Sequence, residues 1–180
     1  MSNLTLIGFM GTGKSTVGRI CARRLNKRFV DTDSLIVQRA GATIPEIFHS
    51  QGESEFRRME RVVVDELSHQ SDLVISTGGG TALDPGNAAL LRSCGLVIVL
   101  TASPEMILRR VGRSQNRPLL ANCSDPLARI RSLLLEREPK YRHAAHFRVD
   151  TGKIHAVAAA NEVLMLFQLI TGEGEQNETS

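Results

Sequence analysis

The chain has 180 residues, a net charge of +3, 42% hydrophobic and 23% charged residues. That length fits one domain with a substantial core, and so small a charge excess gives no case for nucleic acid or a membrane surface as a partner. The three cysteines (Cys21, Cys94, Cys123) form no CxxC, and neither a bilayer-spanning apolar run nor a secretory signal is read, so the expected setting is reduced and cytoplasmic.

The first predicted element is a buried strand, Leu4-Thr5-Leu6-Ile7. It runs into Gly8-Phe9-Met10-Gly11-Thr12-Gly13-Lys14-Ser15, which fits the phosphate-binding loop at every fixed position. Glycines let the backbone turn tightly and aim successive N–H groups at one point. A helix starting near Lys14 adds the positive end of its dipole, and Val17, Ile20, Cys21 and Leu25 recur at helical spacing after it. Lys14 is placed to reach β- and γ-phosphates, and the Ser15 hydroxyl to ligate Mg²⁺.

A second short strand, Arg28-Phe29-Val30-Asp31, leads into Asp31-Thr32-Asp33. If that end stays extended, the two carboxylates face one space at the C-terminal edge of a parallel sheet, where open α/β sheets bind ligands. Residues 34–50 read as helical pieces broken near Gly41 and Pro45 and ended by Gly52. Glu53 to His69 reads as a long helix with Phe56, Met59, Val63 and Leu67 on its apolar side. Leu73-Val74-Ile75-Ser76 is a third strand, followed by Thr77-Gly78-Gly79-Gly80, either a close approach of backbone to ligand or a plain flexible turn.

Pro85 to Arg92 forms a short helix, and Leu96-Val97-Ile98-Val99-Leu100 is the clearest buried strand. Ser103-Pro104-Glu105 opens the next helix, with serine as N-cap and proline at the first position. From Gly112 to Ser124 the residues are poor core material and include Arg113 and Arg117, which fits a mobile lid or an ordinary solvated loop. Residues 126–138 resume helical periodicity, and Pro139 is expected to interrupt or restart that helix. Phe147-Arg148-Val149-Asp150 is the last strand, Ile154 to Ile170 a closing helix, and the acidic segment from Gly172 a disordered tail. The five histidines show no metal spacing; His143 and His146 are three apart but lack further ligands. Strands alternating with helices predict a parallel sheet with helices on both faces, in one domain over 1–171.

A phosphate loop indicates a nucleoside triphosphate, not its use. Phosphoryl transfer to an alcohol needs charge neutralisation, Mg²⁺, a shielded site and an oriented hydroxyl. Ser15 and Asp31 are the candidate metal ligands, because no apolar run ending in aspartate follows the third strand. Asp33 is the candidate to orient the hydroxyl or accept its proton. Arg57, Arg117 and Arg142 suggest an anionic substrate, since a guanidinium fork fits a carboxylate. Taken alone, Arg57 reads more plainly as a surface residue paired with Glu53, and Arg142 as a solvated one.

Gly8–Ser15, Asp31-Thr32-Asp33, Phe56-Arg57-Arg58-Met59-Glu60, Gly78-Gly79-Gly80, Arg117-Pro118-Leu119-Leu120 and Tyr141-Arg142, in that order, closely resemble shikimate kinase over residues 4–170. The resemblance implies an α/β fold of three layers. It is a P-loop kinase fold like that of nucleoside-monophosphate kinases, with a five-stranded parallel sheet of order 2-3-1-4-5, substrate-binding helices over about 33–61 and a mobile lid over about 112–124. It implies transfer of the γ-phosphoryl of ATP to the 3-hydroxyl of shikimate, giving ADP and shikimate 3-phosphate on the way to chorismate and the aromatic amino acids. By matching positions, Gly11, Thr12, Gly13, Lys14, Ser15 and Thr16 bind ATP phosphates, and Ser15 and Asp31 hold Mg²⁺. Asp33, Arg57, Gly79 and Arg142 hold shikimate, with Arg57 and Arg142 on its carboxylate and Asp33 as base. Lys14, Asp33 and Arg117 are the catalytic set, Arg117 swinging in from the lid. Arg110 matches the adenine-stacking arginine, and Lys153 falls near the adenine loop. The resemblance further implies a cytoplasmic monomer with ATP and shikimate as its partners, and no nucleic acid or membrane. The nearest rival is another small-molecule P-loop kinase, such as one acting on gluconate; a non-catalytic nucleotide-binding protein is the rival from another class.

Overall fold

The computed structural model describes residues 3–112 and 124–172. Residues 113–123, where the lid is expected and where Arg117 and Cys123 fall, and the tail from residue 173 lie outside the described residues.

Five parallel strands form one sheet in the order β2-β3-β1-β4-β5. They are β1 (Asn3–Ile7), β2 (Arg28–Asp31), β3 (Leu73–Ser76), β4 (Gly95–Thr101) and β5 (Phe147–Asp150). The helices are α1 (Lys14–Arg24), α2 (Thr32–Ala40), α3 (Ile44–Ser68), α4 (Pro85–Ser93), α5 (Pro104–Val111), α6 (Pro126–Ala144) and α7 (Ala156–Thr171), with a 3₁₀ turn at Thr81–Leu83.

Strand alternation decides which layer each side chain joins. Leu4 and Leu6 of β1, and Leu96, Ile98 and Leu100 of β4, pack with Val17 and Cys21 of α1 and Ala160, Val163 and Phe167 of α7. Ile7, Val97 and Val99 face the other way, onto Val64, Leu91, Ile107, Ile130, Leu133 and Tyr141. A third cluster fills the space under α2 and α3, where Ile36, Ile47, Phe56 and Val63 meet Leu73 and Ile75 of β3. Both faces are covered, which is why β3 and β4 read as continuous apolar runs.

Two local expectations are corrected. The chain does not stay extended to Asp33: β2 ends at Asp31, whose side chain accepts from Ser34 N at 3.2 Å and caps α2, so Asp33 sits in the first helical turn. The break expected near Gly41 and Pro45 is present: α2 ends at Ala40 with Gly41 as its cap, and α3 starts at Ile44 with Pro45 in its first turn, behind a capping box of Thr43 and Glu46. The break inside α3 is at Gly52, which adopts φ 82° and ψ 169°. Pro139 does not interrupt α6. A proline inside a helix costs roughly 3 kcal/mol. Here Ile130, Leu133, Arg137, Tyr141 and Ala144 are buried on both sides of it, and that packing outweighs the lost backbone bond.

Candidate active site

The parallel sheet carries its loops to the C-terminal edge of the strands, and the site is assembled there. Gly8, Gly11 and Gly13 have φ of 133°, 74° and 90°, which only glycine adopts without strain. A Cβ on Gly8 would run into the Leu100 carbonyl, and one on Gly11 would lie 2.8 Å from Val111 Cγ1, so the loop is also packed too closely for side chains. α1 starts at Lys14 with Gly13 as N-cap, no side-chain cap and no acidic residue in its first turn. Its leading N–H groups and dipole therefore face outward into the loop, an anion cradle.

Lys14 is 9% exposed and donates from Nζ to the carbonyls of Gly8 (2.8 Å) and Phe9 (2.9 Å), which holds the ammonium along the loop. Thr12 is buried, and its hydroxyl donates to Phe9 O at 2.8 Å. Thr16 is exposed in the first turn of α1. Ser15 Oγ donates to Asp31 Oδ2 at 2.7 Å and lies 3.2 Å from Ser76 Oγ. Two hydroxyls and a carboxylate beside the loop form a hard oxygen set of the kind that would suit Mg²⁺.

The turn after β3 lies beside this cradle. Gly78 N donates to Thr32 Oγ1 at 2.9 Å, and a side chain on Gly78 would collide with Asp33 Oδ1. A side chain on Gly80 would collide with the Arg57 guanidinium. The three glycines thus give room to an aspartate and an arginine that close on the turn from α2 and α3. Arg57 donates to Glu53 (2.9 Å) and to Glu60 (2.5 Å), so the plain surface pairing is present together with an inward one. Burial opposes the charge on Arg57, but Glu60 and Glu53 more than offset it and hold its proton more tightly than usual. Glu60 is 1% exposed and accepts a second hydrogen bond, from Thr81 Oγ1 at 2.6 Å.

Arg142 is not brought to this cluster. Its side chain is 74% exposed and pairs with Glu138, on a groove of about 510 Å³ between α6 and β5 that Arg148 also lines. The arginine that α6 turns inward is Arg137, 7% exposed, with its guanidinium carbon 5.4 Å from the Phe9 ring centroid. Five residues separate the two arginines, roughly 140° around a helix of 3.6 residues per turn. Arg137 Nε has no hydrogen-bond partner among the described residues. Buried polar atoms are normally satisfied, so the orphaned Nε makes Arg137 a candidate to hold a ligand oxygen.

Tyr141, one helical turn after Arg137, donates its hydroxyl to Gly79 O at 2.5 Å. Burial raises its phenol to about 12, partly countered by Arg137, and the charges of Arg57 and Glu60 also reach it. One neighbourhood thus holds Arg57, Glu60, Arg137, Tyr141 and the glycine turn. Native protein is expected to reach the midpoint of phenolate formation only near pH 12, and with a single tyrosine in the chain an ultraviolet titration reads this residue alone. The folded value lies above the free-tyrosine value of about 10, so the buried neutral phenol stabilises the fold fully below about pH 10. That contribution is lost as pH rises through about 12. Phenolate appearing in folded protein near the free-tyrosine value contradicts the buried hydrogen bond.

Arg110 donates to Gly11 O (3.1 Å) and Thr151 O (2.7 Å), joining the phosphate loop to the segment after β5. Lys153 lies exposed in that same segment.

Arg137 and Thr81 are not singled out from the sequence, and Glu60 appears there only as the end of the Phe56–Glu60 motif, with no role assigned. A signal for Arg137 was available: positions 130, 133, 137, 141 and 144 fall on one helical face, and an arginine in an apolar stripe has a reason to be there.

The chain matches the family model "Shikimate kinase" over residues 10–168. It is 44% identical over 172 residues to a shikimate kinase of Caldanaerobacter subterraneus, covering 96% of this chain and 99% of that protein. A shikimate kinase of Pelotomaculum thermopropionicum is 46% identical over 164 residues, covering 91% of this chain and 94% of that one. Among solved structures, shikimate kinase from Acinetobacter baumannii in complex with shikimate superposes with a TM-score of 0.87 at 39% identity, covering 98% of this chain and 96% of that chain.

Proposed function

The chain belongs to the shikimate kinase family, and from that premise we propose how its residues transfer the γ-phosphoryl of ATP to the 3-hydroxyl of shikimate. The observation that carries the reading is a juxtaposition at one sheet edge. The phosphate cradle, with Lys14 and the Ser15–Asp31 pair, opens beside a glycine turn flanked by Asp33 and Arg57.

The loop amides from Gly11 to Ser15, Thr16 in the first turn of α1 and the Lys14 ammonium bind and orient the triphosphate. Ser15 and Asp31 hold Mg²⁺, which when bound neutralises phosphate charge. Arg57 and Arg137, in place of the expected Arg142, grip the acceptor's carboxylate as two guanidinium forks. Glu60 keeps Arg57 in place, and the Gly79 backbone contacts the acceptor ring. Asp33 orients the hydroxyl and takes up its proton as the oxygen attacks phosphorus. Arg117 comes from the segment between α5 and α6 to neutralise the transferring group, and Arg110 lies against the adenine. Little covalent help is needed: positioning and charge supply the acceleration. One P-loop kinase domain over 1–171 acts as a monomer in the cytoplasm. Among the described residues no helix is long and apolar enough to cross a membrane.

A coupled ADP-release assay with ATP and Mg²⁺ tests this function. Release is expected to depend on added shikimate and to stay at background with gluconate. Equal stimulation by both acids, or by gluconate alone, overturns it.

A further inference from the structure

The turn Gly78-Gly79-Gly80 carries no side chains, so its neighbours decide where its backbone lies. Thr32 holds Gly78 N from α2. Glu60 of α3 holds the Thr81 hydroxyl, and Asn87 of α4 donates to Thr81 O at 3.0 Å. A further tie comes from Tyr141 of α6, donating to Gly79 O. We infer that Tyr141 is a positioning residue for the acceptor: its hydroxyl ties the glycine turn to the helix that carries Arg137, so that turn and guanidinium meet the same substrate in fixed relation. This rests on the reading of Gly79 and Arg137 as acceptor contacts given above.

The geometry separates the two ends of the side chain. The ring packs in the apolar layer with Ile130, Leu133 and Val99, where a phenylalanine packs equally well. The hydroxyl leaves that layer for the Gly79 carbonyl and lies against the Arg137 side chain. The peptide unit is planar, so fixing Gly79 O also fixes the direction of the Gly80 N–H. Gly80 in turn lies against the Arg57 guanidinium. Through one hydrogen bond Tyr141 therefore registers the Arg137 side of the site against the Arg57 side. Without it, the glycine turn keeps its anchors on α2, α3 and α4 and loses its tie to α6.

Tyr141→Phe is the test, because it removes one oxygen and leaves the ring. The expected result is a rise of about tenfold in the KM for shikimate, the scale of one lost hydrogen bond. The KM for ATP is expected to stay within about twofold and the melting temperature close to wild type, a split that a purely structural role does not produce. Wild-type protein gives a second readout. It has one tyrosine and no tryptophan, so its near-ultraviolet difference spectrum on adding shikimate without nucleotide reports Tyr141 alone. A saturable tyrosine perturbation is expected. An unchanged shikimate KM in the variant, a parallel rise in both KM values with a lowered melting temperature, or a flat wild-type difference spectrum overturns the inference. No turnover of shikimate by wild type overturns the function and this inference with it; wild-type turnover with an unaffected variant overturns the inference alone.

Discussion

Lys14→Ala is expected to lower kcat about a thousandfold or more, the scale of removing a preorganised charge from a transition state that spreads negative charge over phosphoryl oxygens. Lys14 is 9% exposed, and its ammonium already lies across the loop on the Gly8 and Phe9 carbonyls. It is thus held in the cradle rather than recruited from solvent. Alanine and methionine both strip two loop carbonyls of their donor, and Lys14→Met serves as a companion that keeps most of the volume, so that lost packing is separated from lost charge. Both variants are expected to keep the wild-type circular dichroism spectrum while turnover collapses. Turnover within tenfold of wild type in either removes Lys14 from the mechanism.

The second large effect separates two arginines on one helix. Arg137→Ala is expected to raise the KM for shikimate about a hundredfold, since a charge-assisted fork to a carboxylate is worth roughly 1.5–3 kcal/mol per bond. Arg142→Ala is expected to leave both KM values within about twofold, because its 74% exposed side chain engages only Glu138 among the described residues. Arg137→Lys adds a control: it keeps the charge, loses the planar fork, and is expected to recover only part of the affinity. If the loss followed Arg142 instead, the carboxylate would lie on the outer side of α6. Steady-state kinetics with each substrate varied in turn reads all three variants.

The contrast between these arginines shows what was legible in the sequence. The phosphate loop could be read because its chemistry is local: glycines, lysine and serine act within eight consecutive residues, and the flanking strand and helix announce themselves by apolar spacing. The three central strands β1, β3 and β4 were legible for the same reason, each being a short, mostly apolar run buried on both faces, whereas the edge strands β2 and β5 each carry an arginine and an aspartate and are only partly buried. The acceptor side was harder because it is built from separate elements. Tyr141-Arg142 stood out as a pair, yet neighbours in a helix point in different directions, and the inward position belongs to Arg137. Asp33 reaches the glycine turn through the first turn of α2 rather than by strand alternation, since the Asp31 cap ends the strand two residues earlier. Glu60 was visible three residues after Arg57, but only the folded chain shows it buried and bonded to Thr81.

The most direct measurement is a phosphorus NMR time course on wild-type protein with ATP, Mg²⁺ and shikimate. As the γ-phosphorus signal of ATP declines, an equal phosphomonoester signal is expected to grow, coupled to the proton on carbon 3 of the ring. Growth of inorganic phosphate alone, or of an ester coupled to a different ring proton, contradicts an acceptor hydroxyl held in line between Asp33 and the two arginines.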